Sequence, residues 1–218
     1  MKLKLAPRKT MYAAPGQVLR PVVGLDIDGT LGEYHEHFAE YAEMYLQRPV
    51  IRHWDGSMPY WKCFGVSKIT YRQMKLGYRQ GRFKRGMPVR HGAKGLTWVL
   101  RQAGAEVWVC TTRPWLRLDN IDPDTRFWLR NNGIQYDGVL FGSQKYRNLA
   151  SLVGIERVVG VLDDEPEQCA LADRVGLPAH IIDRPYNKDG ESLRISDLEQ
   201  AREYFADRIL SWREERNV

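Results

Sequence analysis

The sequence predicts an α/β fold, a doubly wound parallel sheet with a small helical cap inserted after the first strand. Three observations carry that reading. Short continuous β-branched and apolar runs recur, each ending in a polar residue, as strands buried on both faces do. Amphipathic helical periods separate most of them, which implies right-handed crossovers. One connection, of about 65 residues, is far too long for an ordinary crossover and has helical periodicity of its own.

Residues 1–20 hold Pro7, Pro15, Gly16 and several lysines and arginines without clear periodicity, and are expected to form a basic irregular arm. The first strand is Val22-Val23-Gly24-Leu25, leading to Asp26. The long insert, residues 33–91, shows helical spacing at Phe38, Tyr41, Ala42 and Tyr45 and again at Tyr71, Met74 and Tyr78. The core, residues 21–32 and 92–218, then resumes. Leu96, Val99, Leu100 and Ala103 mark a helix ending at Gly104. Val107 to Cys110 is a strand leading to Thr111, and Pro123 to Asn132 a helix stopped by Gly133. Val139 to Phe141 leads toward Lys145, and Val158 to Leu162 leads to Asp163. Pro166 opens a helix running to about Val175, before Gly176. A strand at Ala179 to Ile182 follows. Leu198, Ala201, Phe205, Ile209 and Trp212 then form a long amphipathic helix with Ser196 as its expected N-cap.

Composition narrows the partners. The 218 residues carry 33 basic and 27 acidic side chains, a net charge of +6. No acid occurs between Asp55 and Glu106, while Lys62, Lys68, Arg72, Lys75, Arg79 and others crowd that stretch. Such a field suits phosphate-bearing partners, nucleic acid along residues 56–105 among them. No apolar run has the ~18 residues of a membrane span, and no apolar h-region follows the N-terminal basic residues. Three cysteines, none in a C-x-x-C pair, argue against a disulfide framework and for the reducing cytoplasm. The five histidines show no zinc-ligand spacing.

Ligands of open parallel sheets sit beyond the carboxyl ends of the strands. There the sequence places Asp26, Asp28, Thr111, Lys145, Asp163 and Asp164. Clustered carboxylates repel one another unless a cation sits among them, and a hard ion such as Mg²⁺ suits oxygen donors. Thr111 and Lys145 are then left to hold an anion, most simply phosphate. In Asp26-Ile27-Asp28-Gly29-Thr30, the glycine lets the chain turn so that both carboxylates enter one site.

These segments resemble, in order, the four motifs of the haloacid dehalogenase superfamily of aspartyl-phosphate phosphatases. "GLDIDGTL" is similar to the first, "VWVCTT" to the second, Lys145 in "FGSQK" to the third and "GVLDDEPE" to the fourth. The resemblance covers roughly residues 21–185, with the insert where that family carries its cap. It implies a Rossmann-like core and a Mg²⁺-dependent hydrolase of small phosphate esters. Asp26 is then the nucleophile and Asp28 the acid and base. Asp26, the Asp28 carbonyl and Asp163 or Asp164 hold the metal, and Lys145 and Thr111 hold the phosphate. Within the superfamily the chain is most similar to 5′(3′)-deoxyribonucleotidase-like nucleotidases. "CTTRP" resembles their second motif, usually Cys-Thr-Ser-Pro, and Arg113 departs from it, with a phosphate or sugar contact as its expected role. Tyr60-Trp61, after the Gly56–Pro59 loop, is the expected substrate-facing pair. A polynucleotide 3′-phosphatase and a non-catalytic phosphate- or nucleic-acid-binding module on the same fold are the alternatives.

Overall fold

A computed structural model describes residues 19–188 and 192–217. The arm expected at residues 1–20 therefore lies almost wholly outside the described residues. Arg20, at its end, ties the chain to the core by donating to the carbonyls of Gly104 and Ala105.

The sheet has six parallel strands: β1 Val22–Leu25, β2 Glu106–Thr111, β3 Gly138–Phe141, β4 Val158–Asp163, β5 Ala179–Ile182 and β6 Leu193–Ile195. Their order is β3-β2-β1-β4-β5-β6, so the chain winds outward from β1 in both directions. The reversal beside β1 opens a crevice at the carboxyl ends, where the strand-end residues converge. Alternate residues feed two cores. Val23, Leu25, Val107, Val109 and Leu162 face one, and Val22, Cys110, Val158 and Val161 face the other. Helices α4 (Ala93–Gln102), α5 (Ile121–Asn131) and α8 (Leu198–Glu214) cover the first face. Helices α6 (Lys145–Val153) and α7 (Pro166–Arg174) cover the second.

The helix boundaries follow local chemistry. Gly104, just past α4, has φ +94°, the left-handed conformation that ends a helix at little cost to glycine. Pro166 occupies the first turn of α7, where its missing N–H is unneeded. Two expectations are corrected. The N-cap of α8 is Asp197, not Ser196: its carboxylate accepts from the amides of Glu199 and Gln200, which only a side chain at that position reaches. Strand β6 was not anticipated, being three residues long with Leu193 exposed.

The insert holds α1 (Tyr34–Leu46), α2 (Tyr60–Cys63), α3 (Lys68–Gln80) and a 3₁₀ turn, Phe83–Gly86. Its core is aromatic. Phe38 is fully buried, with its ring centroid 5.2 Å from Tyr78, 5.8 Å from Phe64 and 5.8 Å from Tyr71. Most insert aromatics thus hold the insert together, and Tyr60 and Trp61 separate: Tyr60 is buried beside Phe64 while Trp61 is half-exposed.

Candidate active site at the carboxyl ends of the strands

Asp26 directly follows β1, and its amide donates to the Leu162 carbonyl of β4. Asp163 ends β4 and Asp164 follows it. One carboxylate oxygen from each of the three lies within 4.8 Å of the others, and all three residues are buried. Lys145, at the start of α6, is 1% exposed. Its Nζ lies 2.6 Å from Asp26 Oδ1 and 2.5 Å from Asp163 Oδ2. The Tyr146 hydroxyl donates to the same Asp163 oxygen at 2.5 Å.

Three buried carboxylates thus face one ammonium. Burial raises the Asp26 pKa well above the usual carboxylate range, and Asp163 and Asp164 add to the rise against the pull of Lys145. Burial and the charge of Asp163 push Asp164 up to about 7. A divalent cation relieves that repulsion. The donors are all oxygen, which fits a hard ion rather than a thiophilic one.

The loop after Asp26 is held from the far end of the chain. Gly29 has φ +102°, and a Cβ there would stand 2.1 Å from Asp164 Oδ2 and 2.7 Å from the Tyr186 hydroxyl. Only glycine lets Asp164 approach. Thr30 Oγ1 and the Tyr186 hydroxyl donate to Asp164 at 3.2 and 2.7 Å, and Asn187 Nδ2 donates to its carbonyl at 2.7 Å. Arg184 Nε donates to the Gly29 carbonyl at 2.8 Å. The segment after β5 is therefore a strap across the acidic cluster.

Asp28 lies apart from the other three. Arg113 grips its carboxylate, Nη2 to Oδ1 at 2.6 Å and Nε to Oδ2 at 3.1 Å, and Lys84 of the insert donates to Oδ2. Burial alone would raise the Asp28 pKa, but Arg113 and Lys84 outweigh it and hold the carboxyl below its ordinary range. Burial and Arg113 bring Lys84 down to about 7, although Asp28 favours its charge. Arg113 Nη1 donates to Thr125 Oγ1 at 3.0 Å. Arg113, expected on phosphate or sugar, reaches the cavity but has its guanidinium engaged with Asp28 and Thr125.

Thr111 is buried at the end of β2, and its Oγ1 accepts from the Arg113 amide at 3.4 Å. The neighbouring Thr112 lines the cavity instead. That inner cavity, of about 180 Å³, is walled by Asp26, Asp28, Arg113 and Lys84, with Tyr34, His35, Trp54, Tyr60 and Tyr71 of the insert. Lys75, Arg79 and Glu165 also reach it. Tyr60 thus faces the site, while Trp61 lines an adjoining outer cavity. Lys84, Tyr146, Tyr186 and Asn187 escape sequence reasoning, because each acts through a residue distant along the chain.

The six-stranded parallel sheet with helices on both faces is an α/β fold shared with haloacid dehalogenase-like proteins of known structure. No family model matches the chain and no curated protein matches it; its likeness is to solved structures. One is described as a predicted phosphatase of Clostridium acetobutylicum, with TM-score 0.61 and 14% identity over 87% of this chain and 100% of that one. A haloacid dehalogenase-like hydrolase of Streptococcus pneumoniae gives 0.57 and 14%, over 85% and 98%. Protein tyrosine kinase A of Mycobacterium tuberculosis gives 0.60 and 18%, again over 85% and 98%. At these identities the likeness is one of fold. Among the described residues no helix is long and apolar enough to cross a membrane.

Proposed function

We propose that the chain is a Mg²⁺-dependent phosphomonoester hydrolase working through an aspartyl-phosphate on Asp26, with a nucleotide as its substrate. The observation that carries this reading is the meeting of Asp26, Lys145, Asp163 and Asp164 at the ends of neighbouring strands, with Asp28 two residues beyond Asp26.

Asp26 attacks phosphorus as the ester oxygen leaves, dividing one very slow hydrolysis into two easier steps. Lys145 orients Asp26 and stabilises charge on the transferring phosphoryl group. Asp26, the Asp28 carbonyl, Asp163 and Asp164 are the residues that would hold Mg²⁺, which supplies charge neutralisation between carboxylate and phosphate. Arg113 is assigned to the phosphate, and Thr111 to the strand end behind it, where its hydroxyl holds the Arg113 amide and Thr112 faces the cavity. Without substrate, Asp28 is ionised between Arg113 and Lys84. An entering phosphate dianion competes for both cations. As those cations turn to the phosphate, the Asp28 pKa rises and Asp28 takes up a proton from solvent; it passes that proton to the leaving oxygen and later takes one from the water that clears the intermediate. A dehalogenase has no use for such an acid.

The ring-lined wall supports a nucleotide, with Tyr60 and Trp54 stacked at 5.0 Å beside the site. His35 joins them with its Nδ1 buried and without a hydrogen-bond partner, free to meet a base edge. The three cysteines are buried and unpaired, in keeping with a reducing, cytoplasmic setting.

The test is Mg²⁺-dependent turnover of p-nitrophenyl phosphate and of (deoxy)nucleoside monophosphates, with acid-quench trapping of a phosphoenzyme. Asp26→Asn should abolish turnover and trapping. Undiminished turnover in that variant would remove Asp26 as nucleophile.

A further inference from the structure

We infer that the outer cavity is a single-strand nucleic-acid site, and that the phosphate hydrolysed is the terminal phosphate of an oligonucleotide. The chemistry rests on the hydrolase reading above; the binding site does not.

Lys68, Arg72, Lys75 and Arg79 recur at i, i+4, i+7 and i+11 along α3, so all four project from one face. That face walls a cavity of about 600 Å³, completed by Arg117 and Leu118 from the loop after β2 and by the rings of Trp61 and Tyr71. No lining residue is acidic. Among the described residues none of these five cations has an ion pair, whereas the cations facing Asp28 and Asp26 are all paired. Neighbouring like charges weaken a helix, and among the described residues no carboxylate is ion-paired with this row. Glu165 and Asp28, which line only the inner cavity, are the two acids whose charges act on Lys75 across the junction.

The two cavities are one path. Tyr71, Lys75 and Arg79 belong to the walls of both. The inner volume, about 180 Å³, lies below the ~300–1,000 Å³ of ordinary small-molecule pockets. A nucleotide whose phosphate reaches Asp26 must therefore continue into the outer cavity. From Lys68 to Arg79 the helix rises about 16 Å, which suits several backbone phosphates rather than one. Lys75 Nζ lies 5.3 Å from the Tyr71 ring centroid and Lys62 Nζ 5.6 Å from that of Trp61. Cations interleaved with rings that are partly accessible along the cavity wall suit a single strand, phosphates on the former and bases on the latter. The nucleotide at the catalytic site is then the last residue of a strand.

The experiment uses the full chain carrying Asp26→Asn, so that the oligonucleotide is not consumed. Fluorescence anisotropy follows a labelled ten-residue oligothymidylate bearing a 5′- or a 3′-phosphate, from 50 to 300 mM salt. Binding should weaken with a log–log salt slope of about −2 to −3.5, as expected for three to five phosphate contacts on a single strand. Adding Lys68→Ala and Arg72→Ala should weaken binding at least tenfold and flatten the slope by about 1.4, with the melting temperature kept. In the otherwise wild-type chain the same pair should raise the oligonucleotide KM at least tenfold and leave kcat. Salt-independent binding, an unchanged affinity in the double variant, or equal affinity for a blunt duplex overturns the strand site. So does an equal loss on p-nitrophenyl phosphate. Salt-dependent strand binding with no hydrolysis of any ester would instead sink the hydrolase reading and leave the site standing.

Discussion

Replacing Lys145 with methionine tests the electrostatics of the site most directly. The side chain is 1% exposed, and its ammonium is within 2.6 Å of Asp26 and 2.5 Å of Asp163. Methionine keeps most of the length and removes the charge, leaving three buried carboxylates without that partner. Breaking a buried ion pair from one side costs about 3–5 kcal/mol. For a chain of this size that lowers the melting temperature by about 6–20 °C. The assay is thermal unfolding by circular dichroism at pH 8 in EDTA. The sign of the pH dependence is fixed by Asp164, whose folded pKa is raised to about 7 from 3.8. The folded state then binds its proton more readily than the unfolded state does. Its stabilising contribution is complete below about pH 4 and is lost as the pH rises through 7. The Lys145→Met defect should therefore shrink on acidification from pH 8 to 5. Mg²⁺ at about 100 times its Kd should return roughly 2.7 kcal/mol. A variant melting within about 2 °C of wild type in EDTA at pH 8 would refute the reasoning.

Three further outcomes follow from particular contacts. Asp28→Asn should slow esters with poor leaving groups at least tenfold more than p-nitrophenyl phosphate, because a stable leaving anion needs less protonation; equal losses would count against the acid role. Gly29→Ala should lower the melting temperature by several degrees and reduce turnover, since its Cβ meets Asp164 Oδ2 at 2.1 Å and φ is +102°; an unaltered melt would show that the strap yields. His180 is buried, its Nδ1 donating to the Val161 carbonyl at 3.2 Å and its Nε2 accepting from the Tyr204 hydroxyl at 2.9 Å. Burial lowers its pKa, so the stability it contributes is present above about pH 6.5 and falls at up to about 1.4 kcal/mol per unit as the pH drops below that. Urea unfolding of wild type and His180→Gln between pH 7 and 5 checks this, and identical slopes would remove His180 as the cause.

Five of the six strands were legible because strands covered on both faces must be apolar throughout. The exception, β6, is an edge strand of three residues with Leu193 exposed, too short to carry a period. Asp26, Lys145, Asp163 and Asp164 could be placed because each stands at or near the end of such a run. Lys84 could not, since its link to Asp28 spans 56 residues and depends on how the insert lies on the core. Tyr186 and Asn187 leave no sequence signal either, since their bonds to Asp164 span 22 and 23 residues. The basic face of α3 did leave a signal, the four-three-four spacing of its cations, although overall charge showed only an acid-free stretch.

The strap also bears on synthesis. Arg184 closes on Gly29, 155 residues earlier in the chain. At ~5–20 residues per second the ribosome needs about 8–30 s to cover that distance. Within that interval β1 gains its flanking strands one at a time, first β2 at Glu106–Thr111 and then β4 at Val158–Asp163, so the sheet around Asp26 is in place before the strap can close. The contacts that hold Gly29 and Asp164 from this side form only once residues 184–187 have been made.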